Sequence, residues 1–92
     1  MVATHNALAI DASDVMQKMT EKERFGYLTG LVDMLSYQYV LAGNADRARC
    51  ISDAFYKKPE DMSRTVVETF AKHPDKPAEG LIVVLMNRAC GK

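Results

Sequence analysis

The side chains best suited to chemistry in this chain are two cysteines and two histidines. Cys50 and Cys90 are too far apart for a redox Cys-x-x-Cys pair or a zinc knuckle, and no further Cys or His clusters with them. Their spacing leaves two options open: a disulfide, or two buried free thiols. A bridge would close a loop of about 40 residues and restrict the unfolded chain by roughly 4 kcal/mol in the chain-entropy description. His5 and His73 each lack a second His at ligand spacing. Side-chain catalysis needs a nucleophile with a base, or a metal cluster. Neither pattern occurs here, nor does a Gly-rich phosphate loop or a nucleophile-elbow serine. The expectation is a protein that binds a partner, with no catalytic residues, cofactor or metal.

The elements that carry these residues read as helices. Asp11 is placed to cap a first helix over Ala12–Met19, with Val15, Met16 and Met19 on its apolar face. Thr20 and Glu23 form a capping box at the start of a long second helix, about 21–42. Phe25, Leu28, Leu31, Val32, Leu35 and Tyr39 recur there at spacings of three and four, and Gly43-Asn44 ends the helix. Residues 44–55 suggest one or two short helical turns. Pro59, Glu60 and Asp61 open a further helix with Met62, Val66, Val67 and Phe70 facing the core. Lys72-His73 suits its C-terminal end, and Pro74 stops it.

Lys76-Pro77 opens the last helix by the same device, with Leu81, Val84, Leu85 and Arg88 on one face and Ile82 and Met86 alongside. The run Leu81–Met86 also fits a buried strand, but no second strand exists to pair with it. Apolar nearly all round, this helix is expected at the centre, with Gly91 as its cap. The fold class expected is therefore all-α: a flexible N-terminus over 1–10 and one bundle-like domain of about four main helices over 11–92.

Composition bounds the partners. Twelve basic residues balance twelve acidic ones, so no concentrated basic patch points to nucleic acid or anionic lipid. Lys57-Lys58, the one adjacent basic pair, is followed by Glu60-Asp61 and reads as solvated surface. The longest apolar run is far short of the ~20 residues a bilayer requires, so no membrane insertion is expected. Residues 1–10 lack the cationic and apolar regions of a signal peptide. An exported chain would thus have lost its signal beforehand; the alternative is a cytoplasmic protein.

Four segments taken together resemble a known family. Tyr27-Leu28-Thr29-Gly30-Leu31, Arg49-Cys50-Ile51-Ser52, His73-Pro74 and the terminal Arg88-Ala89-Cys90 are similar, in order and spacing, to the Rap/Tai kind of small helical immunity proteins. Those protect bacteria from peptidoglycan amidases injected by type VI secretion systems. The similarity spans about residues 24–90. It departs at Ser52, where the family often has proline. The resemblance implies a Cys50–Cys90 disulfide, a periplasmic location, a homodimer, and inhibition of a cell-wall amidase by a surface loop.

The loop that would fill that role is His73-Pro74-Asp75-Lys76-Pro77, in which two prolines fix the backbone and reduce the entropy lost on binding. Read without the resemblance, it is an ordinary helix–helix connector. Gly26 and Gly30, four residues apart and continued by Asp33 and Tyr37, would let another helix approach closely, from the same chain or from a second copy. A different class of function is an acid-stress chaperone of the HdeA type, also small, helical and disulfide-bonded. Met16, Met19, Met34, Met62 and Met86 would supply its adaptable apolar faces, although methionines at helical spacing are ordinary core filler.

Overall fold

A computed structural model describes residues 10–91, which form five helices around one hydrophobic core. They are α1 (Ala12–Lys18), α2 (Glu21–Leu41), α3 (Ala45–Tyr56), α4 (Pro59–Lys72) and α5 (Ala78–Cys90). The all-α class holds. The N-terminal segment expected to be flexible lies almost wholly outside the described residues.

The fifth helix is α3, where the sequence suggested only one or two turns. It is continuous over 12 residues. The Asn44 side chain accepts from the Arg47 N–H at 3.2 Å and caps its start. Ala48, Ile51 and Phe55, at spacings of three and four, form its buried face. The intervening charged residues obscure this stripe in the sequence.

The capping box of α2 is present in full: Thr20 accepts from the Glu23 N–H at 3.1 Å, and Glu23 accepts from the Thr20 N–H at 2.8 Å. Helix α2 ends at Leu41, and Gly43 takes the positive φ of 80° that turns the chain toward α3. Leu28 and Val32 are buried, and Leu31, Leu35 and Tyr39 pack against the core. Phe25, expected on that stripe, is instead 61% exposed. It lies about 60° around the helix from Leu28, beyond the edge of the buried face.

Helix α5 packs against all four other helices, as an apolar segment should. Ala78, Leu81, Ile82, Leu85 and Met86 are buried, whereas Val84 and Arg88 are exposed. The inward face is therefore turned from the one expected toward Ile82 and Met86. Pro77 is the N-cap of α5, one residue outside the helix. Gly91, at φ 82°, caps its end by donating to the Asn87 carbonyl at 2.8 Å.

The cysteines are bonded. Cys50 of α3 and Cys90 of α5 have Cα atoms 6.0 Å apart and a sequence separation of 40. Arg47 sits one turn before Cys50 and clamps the same helix end. Its guanidinium donates to the Asn87 side chain at 2.6 Å and to the Cys90 carbonyl at 3.2 Å, and lies 5.0 Å from the centre of the Tyr39 ring. A covalent bond and a charge-assisted clamp thus hold the C-terminus of α5.

Candidate protein-binding loop and the free face of the long helix

The segment between α4 and α5 is fixed at its backbone and open at its side chains. The first N–H groups of any helix need partners. For α1 the sequence points to the Asp11 side chain, but that side chain makes no cap hydrogen bond. The loop supplies the partners instead. The Ala12 N–H donates to the Lys76 carbonyl and the Ser13 N–H to the Pro74 carbonyl, both at 2.9 Å. Reciprocally, the Ala78 N–H donates to the Ile10 carbonyl at 2.8 Å, and Asp11 and Pro77 pair as an isolated antiparallel bridge.

The loop also closes on itself, the Lys76 N–H donating to the His73 carbonyl at 3.2 Å. Helix α1 is in turn anchored by Ala12 and Val15, both buried in the core. The Arg24 guanidinium takes the Val15 and Met16 carbonyls at its other end. The short first helix is thus a brace. It converts core packing into a fixed conformation for residues 74–78.

His73, Pro74, Asp75, Lys76 and Pro77 are all exposed. The His73 N–H donates to the Thr69 and Phe70 carbonyls and closes α4, so the imidazole stands at the negative end of that helix. His5 lies outside the described residues. Among the described residues no group of three or more His, Cys, Asp or Glu could hold a metal ion.

Gly26, Gly30, Asp33 and Tyr37 lie on α2, on the side away from Leu28 and Val32. Among the described residues, a Cβ at Gly26 or Gly30 would meet nothing within 4 Å, whereas Asp33 is reached by Tyr56 of α3. No described helix of the same chain packs on the two glycines. The same side carries Met34, Tyr37 and Leu41, the last two 55% and 64% exposed. Asp33 accepts from the Tyr56 hydroxyl at 2.8 Å. That hydrogen bond, the charge of Asp33 and above all partial burial push the Tyr56 phenol pKa up. Burial, and secondarily the charge of Glu79, raise that of Tyr27.

Of the five methionines among the described residues, Met86 is buried and Met16, Met19 and Met62 pack against the core, whereas Met34 is well exposed. They are core filler rather than one adaptable surface. Sequence reasoning missed the Arg47 clamp and the brace formed by α1. The first depends on partners about forty residues away, and the second is made of backbone groups that side-chain patterns do not encode.

Comparison with family models, with curated proteins and with solved structures returns no match to this chain.

Proposed function

We propose that this chain is an extracytoplasmic protein-binding module that inhibits a peptidoglycan amidase, as the resemblance to immunity proteins implies. The observation that carries the reading is the loop 73–77, with backbone pinned to α1 and five exposed side chains. A fixed loop binds with less ordering cost than a free one, and its polar tip, Asp75 and Lys76, can enter a cleft. The chain acts by occupying its partner rather than by catalysis. The Cys50–Cys90 bond favours an oxidising compartment, the periplasm in this reading.

The test is the affinity of a type VI amidase for wild type and for Asp75→Ala/Lys76→Ala, by calorimetry. Loss of about 2 kcal/mol or more is expected for central contacts. Unchanged affinity removes the loop from the mechanism.

Self-association is a second reading, favoured by the open side of α2. A second copy would cover Gly26, Gly30, Met34, Tyr37 and Leu41. The chaperone reading draws less support. Acid release of apolar surface needs carboxylates that hold it closed, and the four ion pairs among the described residues are all at the surface, with acid side chains from 40% to 96% exposed.

A further inference from the structure

The helix ends around the loop are of two kinds. Helix α2 caps its own start through Thr20 and Glu23, and α4 closes itself through the His73 N–H. Helices α1 and α5 have no side-chain cap at their starts. The first N–H groups of α1 go to the Pro74 and Lys76 carbonyls, and the first N–H of α5, that of Ala78, goes to the Ile10 carbonyl. Residues 10–13 and 74–78 thus satisfy one another, and neither segment keeps these bonds without the other.

The attachment of this pair to the rest of the molecule is slight. Helix α1 has 7 residues, too few to be helical alone. It packs on α4 and α5, with Ala12 and Val15 as its fully buried side chains. Its link to α2, Met19-Thr20, is extended. The Arg24 guanidinium reaches the Val15 and Met16 carbonyls at 3.4 Å, which is long for a hydrogen bond. The disulfide and the Arg47 clamp act at the Cys90 end of α5, the opposite end from Ala78.

We infer that α1 and the loop 73–77 dock and release as one unit, more readily than α2–α5 unfold, and that α1 thereby regulates the loop. Short segments with few buried contacts open locally while the rest of a domain stays folded. The loop keeps its pinned shape only while α1 is docked, so its affinity for a partner scales with the docked fraction. The coupling is reciprocal, and a partner on the loop also holds α1 in place. The regulatory role rests on the loop being the binding segment, as proposed above. The joint release is measured without an amidase, so the two readings fail separately.

The experiment is amide hydrogen exchange of the full chain at several urea concentrations below the unfolding transition. The N–H groups of Ala12, Ser13, Lys76 and Ala78 should share one opening constant, nearly independent of urea. It should be at least tenfold larger than that of Ile51 and Leu85, which lie in the core. Val15→Ala removes two buried methyl groups from α1 and should raise exchange at Lys76 and Ala78 by the same factor as at Ala12, about tenfold. Arg24→Ala leaves α1 itself unaltered and should act in the same direction. Unchanged exchange at Lys76 and Ala78 in either variant would overturn the inference, because the loop would then hold its shape without α1. So would wild-type exchange in which the four amides match Ile51 and Leu85 at every urea concentration, since α1 would then open only with the whole fold.

Discussion

Removing the disulfide gives the sharpest test of how this small domain is held together. In Cys50→Ala/Cys90→Ala the loop of 40 residues between the cysteines is freed. The chain-entropy relation assigns that loop about 13 cal/mol/K, hence about 4 kcal/mol at room temperature. A domain of this size has a total stability of the same order, about 5–10 kcal/mol. The loss should nevertheless leave the fold intact. Arg47 still bonds Asn87 and the Cys90 carbonyl, and the buried residues of α5 remain in the core.

Urea unfolding followed by circular dichroism reads the effect. With a slope of about 1–2 kcal/mol/M, the midpoint should fall by about 2–4 M while the native spectrum is unchanged. A shift of less than about 0.5 M would refute the assignment of stability to the unfolded-state constraint. Loss of the native spectrum in water would mean that the clamp and core cannot hold α5 alone.

Further outcomes follow from individual contacts. Arg47→Ala removes two charge-assisted hydrogen bonds and a cation–π contact, and should cost about 2–4 kcal/mol in the same assay. Thr20→Ala breaks the capping box at an exposed helix start and should cost about 1 kcal/mol. Tyr27 and Tyr56 have phenol pKa values raised in the folded state, so their contribution is full below the ordinary value near 10 and is lost as pH rises through the raised values. Unfolding midpoints should therefore fall above about pH 10, and Tyr56→Phe should flatten part of that fall. If α2 is a dimer contact, Gly30→Leu should give a monomer in light scattering without loss of helix; an unchanged mass would assign that side to solvent or to another partner.

Helices with strong local signals were legible in the sequence. Thr20 and Glu23 marked one start, Pro59 with Glu60 and Asp61 another, and Gly43 and Gly91 marked ends. Each signal acts within one turn, so neighbours in sequence suffice to read it. Helix α3 was blurred because Asp46, Arg47, Arg49 and Asp53 interrupt a narrow apolar stripe. The inward face of α5 could not be fixed by pattern, since an apolar helix offers several equivalent faces and packing chooses among them. Phe25 fitted the periodic stripe but lies beyond the edge of the buried face, where α2 and α4 leave an open groove. The loop 73–77 was legible as a candidate from its prolines. Its brace was not, because backbone carbonyls from Pro74 and Lys76 replace the side-chain cap expected from Asp11.

The central claim is that the pinned loop blocks an amidase. The most direct measurement is hydrolysis of peptidoglycan by a panel of type VI amidases, with wild-type protein and with Asp75→Ala/Lys76→Ala added at equal concentration. The account predicts near-stoichiometric inhibition of at least one amidase by wild type, and its loss in the variant. No inhibition of any amidase, or equal inhibition by both proteins, would contradict it.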